Sequence, residues 1–239
     1  MNIRFVLVRT HHPGNIGASL RALVTLGFED LWLVAPEQFP DGKARAMAAD
    51  TAPLLEQVKV VPDLDSAIAD CSLVIGTSAR SRSVSWPELD CEETATKLAG
   101  HSGPAALVFG PEPSGLTSDE LYRCQYRSYI PTHADYRSLN LSHAVQVYAW
   151  EIFQARRDIE ADTQEVSQDE DGATRKEIDA LMAHCRDMLV GLDFPKRDPD
   201  HLMLRFLAIA NRAGLQSDEV SMLRGLIRRV EERTGRQAG

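Results

Sequence analysis

The chain has 239 residues, of which 44% are hydrophobic and 26% charged, ordinary values for a globular protein of one large domain or of a medium domain plus a small one. No apolar run approaches membrane-spanning length, Met1 leads into a strand-like segment rather than a secretory signal, and the four cysteines (Cys71, Cys91, Cys124, Cys185) form no CxxC pair; a cytoplasmic protein without a disulfide framework or zinc site is expected. The formal net charge of −9 argues only superficially against nucleic acid, because residues 158–172 alone hold seven acids and no base, whereas residues 173–239 carry 12 basic and 10 acidic side chains.

In chain order, apolar runs at 3–8, 31–34, 58–61, 73–76, 105–109 and 127–130 predict strands, with amphipathic stretches at 16–26, 43–49, 64–69 and 92–98 predicting helices between them. Strands alternating with helices imply βαβ crossovers and an α/β fold with a mostly parallel sheet covered on both faces. Thr117-Ser118-Asp119-Glu120 has the Thr-x-x-Glu pattern of a capping box and predicts a short helix. Residues 139–157 lack Gly and Pro and predict a long helix, whose stripe Val145, Val147, Tyr148 and Ile152 reads as core or dimer contact. The acidic segment reads as a solvated linker, followed by three helices near 175–189, 199–212 and 217–234. Asp193-Phe194-Pro195 and Ala213-Gly214 punctuate them. The expected organisation is an α/β domain over 1–157, a linker over 158–174 and a small α-helical unit over 175–239.

Three loops after predicted strands are rich in small and polar residues. The first, Thr10-His11-His12-Pro13-Gly14-Asn15-Ile16-Gly17, leads into a helix carrying Arg21; the second is Gly76-Thr77-Ser78-Ala79-Arg80-Ser81-Arg82; the third is Gly110-Pro111-Glu112-Pro113-Ser114-Gly115. Ligands of open α/β sheets collect at the carboxyl ends of strands, so these loops together form the candidate site. Gly110 and Gly115 have the spacing of a phosphate loop, but Leu116 stands where the lysine is required. Pro111 and Pro113 also lack the amide hydrogens that cradle phosphate. No GxGxxG follows the first strand, which disfavours an ordinary dinucleotide enzyme as well as a nucleoside triphosphatase. A rigid, amide-poor turn suits a flat, uncharged group such as an adenine ring; the plain alternative is a left-handed turn joining strand to helix. The seven histidines form no HExxH, and adjacent His11 and His12 seldom share a metal, so none is expected.

Three segments in order, HPGNIGASLRAL (12–23), LVFGPEPSGLTSDEL (107–121) and SLNLSHAVQVYAWEI (138–152), resemble the motifs of SPOUT-superfamily RNA 2′-O-methyltransferases. GTSARSRSVSWP (76–87) narrows the likeness to members acting on an anticodon-loop ribose of tRNA, and the resemblance covers about residues 2–155. It implies a C-terminal trefoil knot that binds S-adenosylmethionine, with the active site at a homodimer interface and no metal; periodicity cannot reveal a knot. Carried over by position, the cofactor pocket comprises Thr77, Ser78, Ala79, Gly110, Ile130, Arg137, Ser138 and Leu139. Arg21 matches the motif arginine that orients the 2′-hydroxyl and neutralises the adjacent phosphate, Asn15 supports the same loop, and Ser138 matches a serine near the hydroxyl. Arg80 and Arg82 are the candidate RNA-phosphate contacts.

The implied activity is 2′-O-methylation of cytidine or uridine at tRNA position 32. The alternatives are an rRNA or another tRNA position, or an RNA-binding homologue weakened in turnover. The sequence departs from the resemblance at Pro111, where relatives place an arginine after the glycine. Each polar residue also has a plain reading: Arg21 as a surface salt-bridge residue, Asn15 and Ser138 as helix caps, Arg80 and Arg82 as solvated loop charges. Arg224, Arg228 and Arg229 read equally as an RNA grip or as a helix face neutralised by Glu231 and Glu232.

Overall fold

Ile3-Arg4-Phe5-Val6-Leu7-Val8 is buried along its whole length in the computed structural model, which describes residues 3–79, 86–136, 138–162, 172–192, 194 and 199–233. Period-two alternation sends Phe5 and Leu7 into one core and Val6 and Val8 into another, so this strand lies inside a sheet covered on both sides. The strands are β1 (Ile3–Val8), β2 (Leu31–Val34), β3 (Lys59–Val61), β4 (Leu73–Thr77), β5 (Glu88–Asp90), β6 (Ala105–Phe109) and β7 (Tyr126–Tyr129). They form one sheet in the order β3-β2-β1-β6-β4-β7-β5, every neighbouring pair parallel. The six expected strands are present. β5 is an addition: it has three residues with a single apolar side chain and pairs only with β7 at the sheet edge, so no period-two pattern marks it.

The helices are α1 (Pro13–Thr25), α2 (Gly42–Ala48), α3 (Leu64–Ile68), α4 (Cys91–Ala99), α5 (Ser118–Tyr122), α6 (Leu141–Asp162), α7 (Arg175–Gly191), α8 (Pro199–Ala213) and α9 (Ser217–Arg233), with a 3₁₀ stretch over Ala49–Gln57. Leu20 of α1, Leu98 of α4 and Val145, Tyr148 and Ile152 of α6 cover the face that presents Phe5, Leu107 and Phe109. At about 1.5–3 kcal/mol for each large side chain fully buried, this layer supplies much of the driving force for folding. On the opposite face, α3 and α5 have only five residues each, and Leu204 and Ala208 of α8 pack against the core they leave partly covered. The last three helices also bury a small core of their own, including Ile178, Leu181, Leu207, Val220 and Ile227.

Both boundaries of α6 differ from expectation. α6 starts at Leu141 rather than at residue 139, because Asn140 caps it: its side-chain oxygen accepts from the Ser142 amide at 2.9 Å. It then runs to Asp162, taking in the first residues of the expected acidic linker. No Gly or Pro interrupts that stretch, and an acidic residue costs a helix only tenths of a kcal/mol, on the order of the ordinary spread of propensities. No helix among the described residues is long and apolar enough to cross a membrane.

Candidate active site

β6, β4 and β7 are consecutive in the sheet and end at the same carboxyl edge, and the loops leaving them enclose a cavity of about 680 Å³. That volume falls within the range of about 300–1,000 Å³ usual for small-molecule sites. Residues 77–79 after β4, 109–115 after β6 and 128–130 from β7 line it, with Ala134, Asp135, Ser138 and Leu139, and with Leu141, Ala144 and Tyr148 at the start of α6.

The loop after β6 folds back onto its own origin. A Cβ on Gly110 would lie 2.1 Å from the Leu116 nitrogen, so the backbone passes where any side chain would stand. The Gly115 amide closes the turn on the Pro111 carbonyl at 2.8 Å, with Gly115 in the left-handed region at φ +67°. A left-handed turn is therefore present, and it forms one wall of the cavity.

Glu112 ties this wall to α1. Its carboxylate accepts the amides of His11 at 2.9 Å and His12 at 3.2 Å and the side-chain amide of Asn15 at 2.6 Å. His12 is the N-cap of α1 yet makes no side-chain cap, and the first turn holds no acid. Glu112 supplies the missing negative charge from 97 residues away in sequence, measured to Asn15. Burial acts to raise the Glu112 pKa, but the amides of His11 and His12, its own backbone amide and the Asn15 side chain outweigh it and hold the carboxyl below its ordinary value. Asn15 in turn accepts from the side-chain amide of Asn140 at 3.1 Å, so one polar chain joins the β6 loop to the starts of both α1 and α6.

Hydroxyls line the cavity floor. Ser128 bonds the Tyr148 hydroxyl at 2.7 Å and the Thr94 hydroxyl at 2.6 Å, and Tyr148 stacks edge-on against Phe109 at 5.7 Å. Burial raises the Tyr148 phenol pKa, which keeps it neutral. No lysine or arginine lines the cavity among the described residues, whereas Glu112 and Asp135 do.

Thr77, Ser78, Ala79, Gly110, Ile130, Ser138 and Leu139 all line this one cavity. Arg137, Arg80 and Arg82 lie outside the described residues. Asn15 is buried behind the wall, bonded to Glu112. Arg21 is exposed on α1 and does not line the cavity of its own chain. Ser138 precedes α6 in the cavity lining, and the cap is Asn140 instead. The sequence assigned no part to Ser128, Asp135 or Asn140, and placed Tyr148 only in a stripe read as core or dimer contact. An Asn-x-Ser start before an apolar helix could have marked Asn140, but no local signal marks a serine in mid-strand as cavity floor.

Fold and cavity together define an α/β protein with a cavity of small-molecule size at the carboxyl edge of a parallel sheet. The SpoU rRNA Methylase family matches over residues 2–150, and the family described as tRNA methyltransferase TrmJ, C-terminal domain, over residues 176–239. The chain is 39% identical over 233 residues to a Sodalis glossinidius protein named tRNA (cytidine/uridine-2′-O-)-methyltransferase TrmJ, covering 96% of this chain and 91% of the relative. A Pseudomonas aeruginosa protein named tRNA (cytidine/uridine/adenosine-2′-O-)-methyltransferase TrmJ is 38% identical over 242 residues, covering 96% and 94%. The crystal structure of TrmJ from Z. mobilis matches with a TM-score of 0.85 at 28% identity, covering 97% of this chain and 100% of that one. The chain belongs to the SpoU methylase family, in its TrmJ branch.

Proposed function

We propose that this protein transfers a methyl group from S-adenosylmethionine to the ribose 2′-hydroxyl of a tRNA cytidine or uridine, at position 32 of the anticodon loop. The observation that carries this reading is the single cavity formed by residues 77–79, Gly110, Ile130, Ser138 and Leu139 in a chain that matches its TrmJ relatives along nearly its whole length. Small side chains and backbone groups suit an adenine ring held by shape. When bound, S-adenosylmethionine supplies an electrophilic methyl group on a sulfonium.

The chain's own residues position the acceptor. A guanidinium is a poor general base, so Arg21 instead orients the ribose hydroxyl, neutralises the neighbouring phosphate and favours developing negative charge on oxygen. Ser138 hydrogen-bonds near that hydroxyl. Asn15, through Glu112 and Asn140, holds the loops in register. Arg137 completes the cofactor pocket, and Arg80 and Arg82 contact RNA phosphates.

Because Arg21 lies outside its own chain's cavity, a complete site needs a second copy of the chain, and the protein is a homodimer. The half-exposed Trp150 of α6, 6.0 Å from the Phe153 ring, offers an apolar surface for that contact. The chain after β7 forms the trefoil knot around this pocket. The methyltransferase domain spans 1–157 and the helical unit 175–239, and the enzyme works in the cytoplasm.

The test is incubation of the full-length protein with labelled S-adenosylmethionine and bulk tRNA, followed by mapping of 2′-O-methyl positions. Label at an anticodon-loop pyrimidine supports the reading. Label confined to rRNA overturns the substrate, and cofactor binding without methylation of any RNA supports the weakened homologue to which Pro111 points. Arg21→Ala should lower turnover by about 100-fold or more while leaving cofactor affinity within about twofold.

A further inference from the structure

The helix that follows the cavity wall is held at both ends by residues distant in sequence. α5 has five residues, too few to be stable alone in water. At its N-terminus Thr117 and Glu120 form a capping box, and both carboxylate oxygens of Glu120 accept from the Arg9 guanidinium just after β1. At its C-terminus, helix geometry leaves carbonyls without internal partners. Two of these are met by the C-terminal helices: Asn211 of α8 donates to the Tyr122 carbonyl at 2.7 Å, and Arg175 of α7 donates to the Arg123 carbonyl at 3.0 Å, while Trp86 Nε1 donates to the Leu121 carbonyl at 3.1 Å. Asn211 and Arg175 are each 4% exposed, and Asp179 takes the other end of the guanidinium at 2.7 Å. A buried cation at a helix C-terminus also complements the helix dipole.

The same corner reaches β4. The amides of Arg175 and Lys176 donate to the carbonyls of Cys71 and Ala69, both at 2.6 Å, just ahead of that strand. At the strand's other end, a Cβ on Gly76 would meet the Leu121 side chain of α5 at 2.8 Å and the Leu116 side chain at 3.1 Å. α5 therefore sits directly on the residue before Thr77, between the C-terminal helices and two of the loops that line the cavity.

We propose that Asn211 and Arg175 are positioning residues for the methyl donor: the C-terminal helices of the same chain fix the carboxyl end of α5, and through α5 the loop from Gly110 to Leu116. No described residue of α7, α8 or α9 lines the cavity, yet cofactor affinity depends on them. The inference rests on the reading of this cavity as the methyl-donor site.

The experiment compares full-length wild type, Asn211→Ala and Val220→Ala. Val220 belongs to the core of the C-terminal helices and serves as the control for general loosening of that unit. S-adenosylmethionine affinity is measured by titration calorimetry, the KM for tRNA by methylation assay, and hydrogen exchange over residues 116–123. Asn211→Ala should weaken the cofactor about tenfold and raise exchange in that segment, with the tRNA KM within about twofold of wild type. Val220→Ala should lower the melting temperature and leave cofactor affinity within about twofold. Asn211→Asp, similar in size without the donor, should weaken the cofactor at least as much, and it stands in if the alanine variant does not fold. Unchanged affinity in the Asn211 variants, or equal weakening by Val220→Ala, overturns the proposal. Wild type that fails to bind S-adenosylmethionine overturns the methyl-donor reading instead. In that case exchange in 116–123 still decides whether Asn211 holds α5, with unchanged exchange counting against it.

Discussion

Glu112 ties the loop after β6 to the loop before α1; Gly110 sits in the first and Gly17 in α1 just beyond the second, and neither leaves room for a side chain. At Gly17 a Cβ would lie 1.9 Å from the Ala44 carbonyl oxygen, because α1 and α2 cross with backbone against backbone. At Gly110 it would lie 2.1 Å from the Leu116 nitrogen, because the loop reverses onto its own start. The first glycine serves helix packing behind the site, and the second shapes the cavity itself. A GxxG and a Gly-x₄-Gly look alike as glycine motifs, yet only the second lines the cavity.

Substitution should separate the two roles. Gly110→Ala must displace the backbone of the cavity wall, and we expect S-adenosylmethionine affinity to fall about 100-fold in a calorimetric titration, with the chain still folded. Gly17→Ala must push two helices apart. Its expected effect is a loss of about 1–3 kcal/mol of stability in urea unfolding, with a smaller change in cofactor affinity. If the alanine at 17 harms binding as much as the alanine at 110, the distinction between the loops fails.

Glu112→Gln tests the link between them and should cost about 1–2 kcal/mol near neutral pH. The folded-state pKa of Glu112 is depressed, so its contribution is present above the unfolded-state value, near 4.5, and is lost as pH falls through the folded-state value. Stability curves of wild type and Glu112→Gln should therefore converge in acid and separate toward neutrality; a gap that persists at low pH would show that the carboxylate charge is not what joins the loops. The smallest effect is expected at Gly115, where a Cβ meets nothing within 4 Å and only the left-handed backbone at φ +67° resists substitution. Gly115→Ala should cost about 1 kcal/mol in the same unfolding assay.

The α/β class, six strands and the order of the helices were legible because β1, β2, β4 and β6 are largely apolar runs and each longer helix keeps an apolar stripe. β5 was not, since three residues with one apolar side chain carry no period. Among the site residues, Thr77, Ser78, Ala79, Gly110, Ile130, Ser138 and Leu139 could be named from motifs and do share one cavity. Ser128 and the lining role of Tyr148 could not, because nothing local distinguishes a floor hydroxyl from a core one.

Local sequence by itself thus determined which segments become strands and helices, since those choices rest on hydrophobic period, caps and breakers within a few residues. Tertiary structure alone decided that Glu112 caps α1 from across the sheet, that Gly17 is needed by α2, and that Asn211 and Arg175 close the end of α5. Each of these joins groups far apart along the chain, and a hydrogen bond or a steric contact depends on distance in space, of which separation in sequence carries no record.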